Sequence, residues 1–386
     1  MRPIYMDHHA TTPVDQRVLE AMLPYFTEEF GNASSIDHEY GSRADEAVQQ
    51  ARSQVARLIR AKPEEIIFTS GATESNNLAI LGVAEALADK GRHIITAATE
   101  HPAILDPCLY LERHGWQITR LPVDRFGLVD LDALQRAIRP DTVLISIMTA
   151  NNEIGTIAPI KAIGEIAREH GVLFHTDATQ AAGYLPLDVQ ELHVDLLSLS
   201  GHKMYGPKGI GALYVRRFKR SLRLEAQIRG GGHERGLRSG TLNVPGIVGL
   251  GKAAEIASRE MRQESERLRR LRDRLWEGLR ARVPGIEING HPTQRLPHNL
   301  NIYLPGVNNR ALLVALKHEL AFATGSACAT TKVEPSHVIL ALGYPEERAK
   351  SSIRLGLGRS NTEQEIDRAV DSLAGAVEEL THKLRI

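Results

Sequence analysis

The 386-residue chain has only two cysteines, Cys108 and Cys328. No disulfide framework holds it together, and each thiol needs its own explanation. An excess of charge is missing too: Lys plus Arg total 47 and Asp plus Glu total 47. That balance gives no electrostatic reason to expect nucleic acid or an acidic membrane as a partner. No stretch is long and apolar enough to span a bilayer, and residues 1–10 lack the apolar core of a signal peptide. The expected home is the cytoplasm. Repeats and low-complexity tracts are absent, and the composition (42% hydrophobic, 24% charged) is that of a globular protein, excluding a disordered or fibrous one. The length favours two domains.

Ready-made motifs are scarce as well. Three His-Glu dipeptides, at His38, His233 and His318, lack the second His of a zincin. No Cys-x-x-Cys occurs, which disposes of a zinc ribbon or a thioredoxin-like pair. The run from Gly201 to Lys208 has Pro207 where a P-loop needs a backbone donor, and Gly209-Ile-Gly211 lacks the third Gly of a dinucleotide fingerprint.

What is present is alternation. Residues 65–70, 93–96, 142–148, 172–176 and 196–200 read as strands, with helical spacing between several of them, as over 160–170. This predicts an α/β fold, a mostly parallel sheet flanked by helices. An amphipathic helix over 256–282, its charges of mixed sign on a solvated face, leads into a smaller α+β domain at the C-terminus.

Three features fall at strand ends. The small-residue turn 69–77 precedes a helix expected to begin near Asn77, and such a turn presents backbone N–H groups to a phosphate. Ordinary helix capping is the competing reading. Asp177 ends an apolar strand at the edge where parallel sheets bind ligands, although it too could cap a helix. Lys203 follows the strand 196–200 among Gly, His and Pro, which is no routine solvated face. A phosphate cradle, a carboxylate for a pyridine nitrogen and a lysine amine are together what pyridoxal phosphate requires.

The segments YMDHHATTP (5–13), FTSGATESN (68–76), NNEIG (151–155), HTDATQ (175–180), SGHK (200–203), GGGHERG (230–236), RSGT (238–241), GSAC (325–328) and SIRLGLGR (352–359) are specific and ordered. In them the chain resembles the cysteine desulfurases of the NifS/IscS type, within the class V aminotransferase group of fold-type I pyridoxal-phosphate enzymes. The resemblance implies a large cofactor-binding domain, residues 15–258. A small domain, 1–14 with 259–386, would carry a catalytic cysteine loop. It implies that Ala72, Thr73, Ser200 and His202 hold the cofactor phosphate, joined by Thr241 from the other subunit of a homodimer. His101 would stack on the ring and move protons, Asn152 and Gln180 would bond cofactor and substrate, and Arg354 would clamp the substrate carboxylate.

Cys328 decides the reaction that the resemblance implies. Its neighbours are small and polar, as on an exposed loop, whereas Cys108 sits among apolar residues and reads as packing. The thiolate of Cys328 would take sulfur from L-cysteine, leaving an enzyme persulfide and alanine. The sulfur would serve iron–sulfur scaffold proteins and other acceptors such as tRNA thiolation. No resident metal is implied, though Cys328 could lend its thiolate to a nascent cluster. Two departures stand out: Ala323-Thr324 replace the Ser-Ser that often precedes GSAC, and the C-terminal extension used by some bacterial relatives for scaffold docking is not expected. A selenocysteine lyase or a class V aminotransferase is the alternative chemistry, and a sulfur-carrying subunit with a relic cofactor site is the non-enzymatic one.

Overall fold

The computed structural model describes residues 3–217, 222–324 and 334–383, so Cys328 lies outside the described residues. Seven strands form the main sheet: β1 (Ile66–Thr69), β2 (His93–Ala97), β3 (Gln117–Leu121), β4 (Thr142–Ser146), β5 (Leu173–Asp177), β6 (Leu196–Ser200) and β7 (Gly211–Val215). Their spatial order is β1-β7-β6-β5-β4-β2-β3. Pairs from β6 through β5, β4 and β2 to β3 are parallel, whereas β7 runs antiparallel to both β6 and β1. Two antiparallel steps restore direction, so β1 ends at the same edge as β6. The sheet is therefore mixed but mostly parallel, as the alternation predicts. The expected strands are all present; β3 and β7 were not expected. Most of β3 lies open at the sheet edge, and residues 211–215 are a five-residue apolar run whose periodicity cannot tell strand from helix.

The strands are apolar on both faces because both faces are covered. Ile66, Phe68, Ile95, Ile145, Leu197 and Leu199 join one core, together with helix α1 (Glu39–Leu58) and helix α4 (Ile160–Glu169). Their neighbours Ile67, Ile94, Leu144 and Leu196 join another beneath α2 (Ala72–Leu87) and α3 (Pro102–Arg113). Cys108 lies on α3 in that second core, fully buried, and burial pushes its thiol up to about 12. It carries no thiolate at neutral pH.

Helix α5 begins at Val244 and ends at Arg282, twelve residues longer at its start than the periodicity of 256–282 suggested. Asn243 caps it by accepting from the Gly246 N–H, and the added turns are small residues that lie close to α1: a Cβ on Gly251 would meet Ala51 at 2.6 Å. Such a small-residue contact has no amphipathic signature. Val244, Ile247 and Leu250 of α5 enter the sheet core, whereas Leu268, Leu271, Leu275 and Leu279 enter a third core. That core includes β9 (Asn299–Tyr303), β10 (Ser352–Gly356), helix α6 (Glu363–Lys383) and the N-terminal residues Ile4 and Met6.

Three histidines are buried where the segments meet. Among the described residues His8 has a partner at neither ring nitrogen, and His298 lies stacked between His9 and Tyr184 with Nδ1 unpartnered. Burial lowers His8 to about 4 and His298 to about 3, so both stay neutral in the fold and protonate near 6.5 when unfolded. Stability from this source is complete above pH 6.5 and is lost as pH falls toward those values, at about 1.4 kcal/mol per pH unit for each ring. Urea unfolding at pH 7.5 and 4.5 should show the loss, and His298→Phe, which keeps the stack, should lose measurably less. An equal loss in both proteins would contradict this account.

Candidate functional site

Parallel strands place their carboxyl ends at one edge, and the polar residues cut off from the apolar strands gather there. A cleft of about 520 Å³ opens at that edge, and ten of the twelve residues singled out from the sequence line it. They are Ala72, Thr73, His101, Asn152, Asp177, Gln180, Ser200, His202, Lys203 and Arg354. Thr241 is not among the lining residues; it lies exposed just before α5. Cys328 lies outside the described residues. The segment that leads toward it is anchored at Ala323, whose backbone exchanges hydrogen bonds of 3.1 and 2.7 Å with Arg354.

Helix α2 starts at Ala72, not near Asn77. Gly71 precedes it at φ 154°, in the range that favours glycine, and brings no side chain to cap the helix. The first-turn N–H groups of Ala72 and Thr73 therefore face the cleft, at the positive end of the helix. Gly211 on β7 presses against this turn: a Cβ there would stand 2.7 Å from the Gly71 Cα. Glu74, in the same turn, is tied to the Ser70 N–H (2.8 Å) and to Arg238 Nε (2.9 Å). Burial raises its carboxyl, but those bonds outweigh burial and hold it below the usual range.

Asp177 ends β5, and no helix follows it. One carboxylate oxygen accepts from the Thr179 N–H at 2.9 Å and the other from Asn76 Nδ2 at 2.8 Å. Asn76 reaches it from α2, one turn beyond the cradle. His101 caps α3, with Nδ1 accepting from the Ala103 N–H at 3.1 Å. Burial lowers its pKa, opposed by Asp177 and reinforced by Lys203 and His337. A neutral ring with Nδ1 so occupied carries its proton on Nε2. Beside it, burial keeps the Glu100 carboxyl well above the usual range.

Lys203 lies in the turn after β6, and Nζ donates to the carbonyls of His9 (2.5 Å) and Ala10 (2.7 Å). His202 bonds Thr11 Oγ1 through Nδ1, and burial with Lys203 and Lys208 pushes it down to about 4. Gln180 bonds His9 twice, at the ring through Oε1 (2.8 Å) and at the carbonyl through Nε2 (3.1 Å). Arg354 is buried on β10: Nη1 donates to the Asn152 carbonyl (2.9 Å) and Nη2 to Asp7 (2.8 Å), while Nε has no protein partner among the described residues. Asp7, His9 and Asn76 had no role from sequence. Their partners stand 347, 171 and 101 residues away, and no local pattern signals such pairings.

The chain can thus bind a phosphate-sized anion at α2, place a carboxylate and a lysine amine behind it, and offer a buried guanidinium opposite. A class V aminotransferase is what this fold and cleft define, and the Aminotransferase class-V family model matches residues 4–369. The cysteine desulfurase IscS of Anaeromyxobacter sp. (strain Fw109-5) is 56% identical over 378 residues, covering 98% of this chain and 93% of the relative. A solved structure described as a NifS-like protein superposes with a TM-score of 0.91 at 37% identity, over 98% of this chain and 100% of the other. Another, SspA in complex with cysteine, gives 0.81 at 39% identity, over 92% and 99%. The chain belongs to the class V aminotransferase family and, within it, to the cysteine desulfurases of the NifS/IscS type. Among the described residues no helix is long and apolar enough to cross a membrane.

The cradle geometry makes a direct prediction. Gly211→Ala would force its methyl against both the Gly71 Cα and, at 2.6 Å, the Leu199 carbonyl. If the helix-end donors hold a phosphate, affinity for pyridoxal phosphate, titrated by fluorescence, should drop about tenfold or more as they move. Wild-type affinity in a folded variant would show that the cradle does not depend on that approach.

Proposed function

We propose that this cysteine desulfurase takes sulfur from L-cysteine, releases L-alanine and keeps the sulfur as a persulfide on Cys328, with pyridoxal 5′-phosphate as cofactor. The reading rests on one observation: Lys203, Asp177, the open end of α2 and Arg354 converge on a single cleft. These groups fit the cofactor. The N–H groups of Ala72 and Thr73, with Ser200 and His202, would hold its phosphate, and Gln180 would bond the ring through the remaining proton of Nε2. Lys203 would attach it covalently, and Asp177 would hold the proton of its pyridine nitrogen. Bound there, the cofactor supplies an aldehyde for the substrate amine and a ring that accepts electrons from the substrate.

Arg354 would receive the substrate carboxylate through the guanidinium protons that Asn152 and Asp7 leave over. Asn152, whose carbonyl holds Arg354, would face the cofactor and substrate beside it. His101 would lie over the ring and give a proton from Nε2. The Cys328 thiolate would attack the substrate sulfur; the S–S bond forms as the Cβ–S bond breaks, and its electron pair stays on the carbon that becomes the alanine methyl. The persulfide would pass to an iron–sulfur scaffold or another sulfur acceptor. We also propose two working units, 15–258 and 1–14 with 259–386, a division supported by the separate cores. Localisation in the cytoplasm and a homodimer sharing Thr241 complete the reading.

Cys328→Ser should bind the cofactor normally yet lose persulfide formation by orders of magnitude, since a serine hydroxyl is not ionised at neutral pH. Cys108→Ser should stay active and lose at most about 1–3 kcal/mol of stability. Mass spectrometry of trapped peptides after L-cysteine reads both; added sulfur on Cys108 would overturn the mechanism.

Subunit sharing is tested separately by mixing Lys203→Ala with Thr241→Ala chains. If Thr241 crosses between subunits, a heterodimer has one site with both lesions and one with neither, so part of the activity should return. No return in a verified heterodimer would mean that each site is built from one chain.

A further inference from the structure

His9 does no chemistry in the reading above, yet its ring is tightly held. It is buried, stacked on His298 with centroids 4.4 Å apart, and engaged at both nitrogens. Gln180 Oε1 can only accept, so Nδ1 carries the proton, and Asn299 Nδ2 can only donate, so Nε2 accepts at 3.0 Å. Gln180 Nε2 then returns to the carbonyl of the same residue. Three residues further on, Thr12 is tied to the lysine segment: its N–H and Oγ1 both donate to the His202 carbonyl, and its Oγ1 accepts from the Tyr205 N–H. The backbone at His9 and Ala10 is thus fixed at both ends, by the imidazole on one side and Thr12 on the other. Between these ties, two successive carbonyls converge on Lys203 Nζ.

We propose that His9 is a positioning residue that holds the His9 and Ala10 carbonyls as a dock for the Lys203 ammonium whenever that amine is not joined to the cofactor. Carbonyl dipoles favour the charged amine, and a charged amine is no nucleophile. The dock therefore keeps the lysine beside the cofactor site and restrains it from premature reattachment. The proposal rests on Lys203 being the cofactor lysine.

The test is competitive labelling of cofactor-free enzyme with trace acetic anhydride at pH 7.5, with Lys203 compared against Lys208 by peptide mass spectrometry. In wild type, Lys203 should label more slowly than Lys208. In His9→Ala the ratio of Lys203 to Lys208 should rise about tenfold, as expected when charge-assisted bonds to a cation loosen. His9→Gln, which restores a donor and an acceptor at the same place, should bring the ratio back toward wild type. Asn299→Ala removes only one tie of the ring, should give an intermediate rise, and carries the test if His9→Ala does not fold. Wild-type ratios in the folded variants would overturn the dock. A separate arm adds pyridoxal phosphate with borohydride before labelling. If Lys203 is not then blocked, the assignment of the cofactor lysine fails, whatever the variants show.

Discussion

A sheet buried on both faces leaves its polar neighbours nowhere to go but its edges, and the arrangement of this site follows from that constraint. Leu196, Leu197 and Leu199 on β6 are fully buried on alternate faces, so the residues able to meet a ligand begin at Ser200. The same holds for β1, whose last residue precedes Ser70 and Gly71, and for β5, which ends in Asp177. The two antiparallel steps through β7 matter here. They turn β1 back into register with the parallel strands, bringing the α2 N-terminus to the edge where Asp177 and Lys203 already lie.

Burial also decides which groups around the cleft carry charge. His175, behind Asp177, is pushed down to about 4 by burial, and its two nitrogens are taken by Ser146 and Ser198. His202 is likewise low, and Glu100 is held above its usual range, with one oxygen lacking a protein partner among the described residues. Imidazoles kept neutral add no net charge beside Asp177, Lys203 and Arg354 at neutral pH, and burial biases Glu100 toward its uncharged form. The charges at the cleft thus include Asp177, Lys203 and Arg354, with Glu74 kept ionised by Ser70 and Arg238. A low-dielectric surround strengthens their action on whatever lies between them.

Much of this was legible in the sequence, and the reasons differ by element. Strand-end residues such as Asp177 and Lys203 stood out because short apolar runs end there and the chemistry changes within one residue. The site's sequence segments also matched a family, which assigned His101, Asn152 and Arg354 roles that no periodicity could give. The beginnings of α2 and α5 were misplaced for one reason: small residues at a close approach, Ala72 and Thr73 at the cradle and Gly251 against Ala51, lack the apolar spacing by which a helix is recognised. Asp7, His9 and Asn76 escaped notice because each acts through a partner more than one hundred residues away.

Those long-range partners also explain how one cleft draws on two hydrophobic cores. Lys203 and Asp177 belong to the sheet, whereas Arg354 stands on β10 in the core formed with the C-terminal half of α5. A 39-residue helix spanning both cores makes a continuous mechanical link, but a helix fixes only its own axis. Residues 4–12 supply the missing constraint: Met6 accepts from the Gly356 N–H on β10, Asp7 meets the Arg354 guanidinium, and Thr12 is bonded to the Lys203 turn. One short segment, turned at residues 8–10, thus measures the distance between the guanidinium and the lysine. A shift between the cores would stretch bonds at one end of that segment or the other, so the spacing is held by backbone geometry and not by helix packing alone.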